Sequence, residues 1–136
     1  SYLVEQELWL VIEYMDGGTL YDIIMETPLL EDEIAAISRE CLQGLDFLHS
    51  NHMIHQNVWK SCNILIRTDG SVKLGQYILG QAQCSGAVGS VAGTSGWMAP
   101  EVMEGQPYGP KADIRAFGIV VLEMVEREVP YWNETP

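Results

Sequence analysis

Met53-Ile54-His55-Gln56-Asn57-Val58-Trp59-Lys60-Ser61-Cys62-Asn63-Ile64-Leu65 joins a short apolar run, a cluster of polar side chains and a second apolar run. Polar groups between two apolar anchors are the layout of a reactive loop held between buried strands. Downstream, residues 63–67 and 71–74 flank Thr68-Asp69-Gly70, a compact hairpin signal. Upstream, Glu31-Asp32-Glu33 opens a helix, because acids in the first turn complement its dipole. Ile34, Ile37, Cys41, Leu45 and Leu48 continue at helical spacing to about Ser50 and form one apolar face.

Further out, Leu8 to Tyr14 is rich in strand formers and runs into Met15-Asp16-Gly17-Gly18, a turn. Thr19 can cap a short helix to Glu26, and Pro28 stops it. The stretch 75–100 contains five glycines after Gly75 and no Asp, Glu, Lys or Arg, which predicts a long loop. Ala99-Pro100-Glu101 restarts ordered structure, and Pro107-Tyr108-Gly109-Pro110 is a second turn. Lys111 to Glu126 then reads as a helix apolar on nearly all sides, hence buried.

With 136 residues the chain is one domain at most, long enough to bury about two thirds of its unfolded surface. Hydrophobic residues at 47% fit a packed core and not a disordered chain. A formal charge of -12, from 19 acidic against 7 basic residues, repels nucleic acid and anionic membrane. Cys41, Cys62 and Cys84 lack C-x-x-C spacing and read as free thiols of a reducing compartment. The apolar runs fall far short of the ~18 residues of a membrane span. Ser1 opens no basic leader, so the expected location is cytoplasmic.

Strand, corner, helix, long helix, polar loop, hairpin, glycine-rich loop, Ala-Pro-Glu and buried helix follow the order of a protein-kinase carboxyl-terminal lobe. The polar loop resembles the kinase catalytic loop, H-R-D-x-K-x-x-N. Leu8-Trp9-Leu10-Val11-Ile12-Glu13-Tyr14-Met15, Phe47-Leu48-His49-Ser50-Asn51, Gly70-Ser71-Val72-Lys73-Leu74 and Trp97-Met98-Ala99-Pro100-Glu101-Val102 resemble the PAK branch of the sterile-20-like serine/threonine kinases, as does Tyr108-Gly109-Pro110-Lys111. The resemblance implies an α+β, protein kinase-like fold, truncated to a mainly helical carboxyl-terminal lobe with a hinge strand and a small catalytic-loop hairpin. Residues 1–15 would end the amino-terminal lobe and form the hinge, and 16–136 would be part of the carboxyl-terminal lobe.

By resemblance, ATP and magnesium are the cofactors. Glu13, Tyr14 and Met15 match the hinge whose backbone meets adenine, and Ile12 matches the gatekeeper. Leu65 matches the apolar floor under adenine, or is an ordinary core leucine. Lys60 matches the lysine that neutralises phosphate charge, and Asn63 the asparagine that binds magnesium.

The departures fall on the chemistry. Asn57 stands where the family has its proton-accepting aspartate, and an amide has no useful basicity. One residue too many separates His55 from Asn63; counted back from Lys60, the base position holds Val58 instead. A misplacement of about 1 Å can cost roughly 100-fold. Gln76 occupies the place of the metal-binding aspartate, and a neutral amide is a poor magnesium ligand. Asp69 is the only acid between Phe47 and Pro100, and its place before Gly70 reads as a turn residue.

Gln56 replaces the arginine that pairs with a phosphorylated activation loop in many kinases, and Ser90 lies near the usual phosphothreonine. Ser95-Gly96 replaces Pro-Tyr after Thr94. Arg115 replaces a buried tryptophan and would bring charge into a packed helix. His55 and Asp113, which in the family build the apolar spine and anchor the catalytic-loop backbone, are both present.

The phosphate loop, strand lysine and paired helix glutamate of a whole kinase would precede Ser1. A chain ending at Pro136 would leave apolar surface exposed on Lys111–Glu126. The expected function is a catalytically silent PAK-like domain, a pseudokinase or degenerate copy, that binds protein partners through its carboxyl-lobe surface. The family's partners are small GTPases and protein substrates. The alternatives are an active ATP-dependent serine/threonine kinase completed by parts outside this stretch, and a nucleotide-binding switch using the hinge.

Overall fold

The computed structural model describes residues 2–4, 7–9, 11–55, 60–75 and 96–130. Strands β1 (Tyr2–Val4) and β2 (Glu7–Trp9) pair antiparallel, with Tyr2 opposite Trp9 and Val4 opposite Glu7. The strand expected over Leu8–Tyr14 is thus shorter and earlier, since residues 11–15 belong to no strand. A strand needs a neighbour to take its backbone N–H and C=O groups, and β1 pairs only with Glu7–Trp9.

Helix α1 (Leu20–Glu26) starts at the predicted cap. Thr19 Oγ1 accepts the Asp22 N–H at 3.2 Å, and the Asp22 carboxylate accepts the Thr19 N–H at 3.2 Å. This reciprocal pair satisfies donors that a helix start leaves open. The helix ends at Thr27, which Pro28 holds in extended backbone.

Helix α2 (Glu31–Ser50) carries its three acids in the first turn, and the Glu33 carboxylate accepts the Leu30 N–H at 2.8 Å. Of its expected apolar face, Cys41 and Leu45 are buried, while Ile34, Ile37 and Leu48 are half-buried. It closes with the Met53 N–H donating to Leu48 O at 2.9 Å, His52 taking the left-handed φ of 58°.

A 3-10 turn, Ser61–Asn63, leads into β3 (Ile64–Ile66), which pairs antiparallel with β4 (Val72–Leu74) across the predicted hairpin turn. Gly70 supplies the positive φ, 89°, that the turn needs. Short helix α3 (Pro100–Met103) and long helix α4 (Pro110–Glu126) complete the order. Of the long loop expected over 75–100, residues 76–95 lie outside the described residues.

The core is made where these elements meet: Leu20 and Ile24 of α1, Cys41 and Leu45 of α2, Ile64 of β3, and Phe117, Val120 and Met124 of α4. At about 25 cal/mol per Å² of apolar area removed from water, this shared cluster holds the helices on the hairpin. Arg127 adds a polar stitch. Its backbone takes the left-handed φ of 62°, and its guanidinium donates to Ile24 O at 3.0 Å and Met25 O at 2.7 Å. It thereby satisfies carbonyls that the end of α1 leaves open.

Three expectations are corrected. Helix α4 is buried on one side only: Ile114, Leu122 and Val125 are 49%, 44% and 57% exposed, because α1, α2 and β3 meet just its other side. Arg115 lies on the exposed side and brings no charge into the core. Among the cysteines, Cys41 is a free buried thiol, pushed up to about 12 by burial and then by Glu40, whereas Cys62 is disulfide-bonded and not free.

Candidate functional site

The segment Glu13–Gly18 lies along the β3–β4 hairpin, held by side chains and backbone. The Glu13 carboxylate accepts from Arg67 Nη2 and from Lys73 Nζ. These two donors, Lys73 first, hold its carboxyl below the ordinary range, and Glu13 remains exposed. Asp16 accepts the Thr68 N–H at 3.0 Å and the Thr68 hydroxyl at 2.8 Å. Gly17 N–H donates to Ile66 O at 3.0 Å, and Ile66 N–H to Gly18 O at 2.9 Å. A Cβ on Gly17 would sit 2.7 Å from Ile66 O, so this approach requires glycine. Met15 is buried, Tyr14 is 81% exposed and Leu65 is half-buried, bridged to Thr19. The structure therefore brings the Glu13–Met15 stretch and the strand carrying Leu65 to one corner.

The polar loop is anchored from below by α4. Asp113, whose side chain is fully buried, accepts the His55 backbone N–H at 2.9 Å, and its Oδ2 lies 2.8 Å from His49 Nε2. Burial, opposed by Asp113, holds the His55 imidazole below its ordinary 6.5. The backbone of Asn63 is fixed as well, its carbonyl accepting the Gly75 N–H at 2.6 Å.

Lys60 is half-buried, with Nζ over the Trp97 ring at 5.4 Å from its centroid, and burial lowers its pKa. Glu123 of α4 is buried beneath the loop. It accepts from Ser61 Oγ at 2.6 Å and from Trp97 Nε1 at 3.3 Å. Desolvation raises its pKa against those two hydrogen bonds.

Asn57, Val58 and Gln76 lie outside the described residues, as do Gln56, Ser90 and Thr94. Asp69 is a turn residue, accepting the Ser71 N–H at 2.8 Å and the Ser71 hydroxyl at 2.5 Å. Among the described residues no group of three or more His, Cys, Asp or Glu side chains could hold a metal ion. Magnesium prefers carboxylate oxygen. Near the loop the described residues offer a neutral amide at Asn63 and, at Asp69, a carboxylate engaged in its turn.

Sequence patterns do not single out His49, Arg67, Lys73, Ser61 or Glu123. Glu123 had a signal: Asp113, Ala116, Val120 and Glu123 recur at helical spacing, which sets two acids on the buried stripe of α4. An acid on an apolar stripe implies a buried partner. Arg67 and Lys73 meet Glu13 across more than fifty residues, a separation no local pattern spans.

The family described as protein kinase domain matches residues 1–136, and the chain belongs to it. Within that family it is similar to PAK and STE20 serine/threonine kinases. It is 51% identical over 142 residues to serine/threonine-protein kinase PAK 1 of Mus musculus and 50% over 139 residues to serine/threonine-protein kinase pak-1 of Caenorhabditis elegans. It is 47% identical over 138 residues to serine/threonine-protein kinase STE20 of Eremothecium gossypii. Each alignment covers 100% of this chain but only 25%, 24% and 14% of those proteins. The fold is the truncated kinase-like α+β arrangement that the resemblance implied. No helix among the described residues is long and apolar enough to cross a membrane.

Proposed function

We propose that this PAK-like serine/threonine kinase domain is catalytically silent and works by binding. The reading rests on a scaffold contact that is kept beside substitutions at the positions for the chemistry. Asp113 holds the loop at His55, while the positions for base and metal carry Asn57 and Gln76. The remaining nearby acid, Asp69, is engaged with Ser71. Two losses with different tasks, proton acceptance and metal binding, leave phosphoryl transfer without its acid–base and electrostatic parts.

Adenine is recognised in this reading by the backbone of Glu13 to Met15, which tolerates the changes elsewhere, with Leu65 beneath it. Protein partners meet the carboxyl-lobe surface. An adenine nucleotide so held needs no magnesium. Thermal shift of the full-length protein with ATP is expected to be the same in magnesium and in excess chelator. An ATP shift that appears only with magnesium would contradict the loss of the metal site.

A further inference from the structure

Four groups around the polar loop form a closed circuit. Lys60 Nζ lies over the Trp97 ring, Trp97 Nε1 donates to Glu123 Oε2, and Glu123 Oε1 accepts from the hydroxyl of Ser61, the residue after Lys60. The carboxylate that orients the indole thus also fixes the backbone step that carries the lysine. Glu123 is 1% exposed, so water does not compete for either of its oxygens. A Cβ on Gly96 would meet Val129 Cγ1 at 2.8 Å, so the backbone just before Trp97 lies close to Val129.

From this circuit we infer that Trp97 is an autoinhibitory lock on Lys60, holding its ammonium on the indole face and away from phosphate groups. The inference deepens the proposed function, resting on Lys60 as the group that would meet phosphate. It adds a second obstacle beside the missing carboxylates. An ammonium seated on an aromatic face is attracted by the ring quadrupole. Lys60 is half-buried, where water gives its charge less support and the ring contact counts for more. A triphosphate must therefore displace an existing partner before it gains this lysine.

The test is the rate at which an acylating reagent modifies Lys60, followed by peptide mass spectrometry on the full-length protein. Trp97→Met removes the π face but keeps apolar bulk, and Trp97→Phe keeps a π face without the N–H. Circular dichroism confirms the fold of each. Trp97→Met is expected to raise the Lys60 rate roughly two- to five-fold, the equivalent of about 0.5–1 kcal/mol for such a contact, with Trp97→Phe in between. Tripolyphosphate in magnesium-free buffer should then slow Lys60 acylation more in Trp97→Met than in wild type. Equal Lys60 rates in wild type and folded Trp97→Met overturn the lock. So does equal protection by tripolyphosphate in the two proteins. If Trp97→Met does not fold, Trp97→Phe decides: loss of protection beyond five-fold would assign the effect to the Nε1–Glu123 bond and not to the ring. None of these outcomes depends on phosphotransfer, so the silent-domain reading stands or falls separately.

Discussion

Replacing Asp113 by alanine is expected to lower stability by about 3–5 kcal/mol, the range for removing one partner of a buried charged hydrogen-bonded group. Its side chain is fully buried, and its Oδ2 serves both His49 Nε2 at 2.8 Å and the His55 N–H at 2.9 Å. Alanine leaves these groups facing a void in place of an acceptor. Asp113→Asn keeps one acceptor oxygen, and the expected loss falls to about 1–2 kcal/mol. Denaturant midpoints at unchanged m-value measure both. Equal losses for the two variants would show that packing, and not the hydrogen bonds, is what Asp113 contributes.

Glu123 carries the second large effect, and here charge and shape separate. Glu123→Leu fits the apolar stripe but orphans the Ser61 hydroxyl and the Trp97 N–H, each at about 1–3 kcal/mol. Glu123→Gln can still accept from Trp97 and donate to Ser61, whose hydroxyl serves either role, so its expected loss is below about 1.5 kcal/mol. The pH dependence follows from the raised carboxyl pKa. The folded state holds this proton more tightly than the unfolded chain, where the ordinary value is 4.5. The associated stabilisation is therefore present below 4.5 and is lost as pH rises through the elevated folded value. Measured from about pH 4 to about pH 8, stability of Glu123→Gln relative to wild type should rise with pH. A flat or falling difference would show that Glu123 is not held against its charge.

Much of the fold was legible because its signals are local. Acids at Glu31–Glu33 followed by apolar spacing to Leu48 mark α2, and Thr68-Asp69-Gly70 between two apolar runs marks the hairpin. The first strand was misplaced because β-forming residues reveal a preference for extended chain, while pairing depends on which neighbour is available. The burial of α4 was overstated for a related reason: Ile114, Leu122 and Val125 are apolar, yet burial requires an element on that side. The candidate site was legible as letters in order, from His55 to Asn63. Its support was not, because Asp113, Glu123 and Arg127 act across 58, 62 and more than a hundred residues. Arg127 illustrates the gap well: a charged residue in a left-handed position after an apolar helix reads as a surface turn until its contacts with Ile24 and Met25 are seen.

On our proposal, a PAK-like scaffold persists here without phosphoryl transfer. The most direct measurement incubates the full-length protein and its Lys60→Ala variant with ATP, magnesium and a generic serine/threonine substrate, and compares the phosphate transferred. The two proteins are expected to be indistinguishable, both at background. Turnover in the wild type that Lys60→Ala abolishes would contradict it and show that Asn57 and Gln76 do not silence the domain.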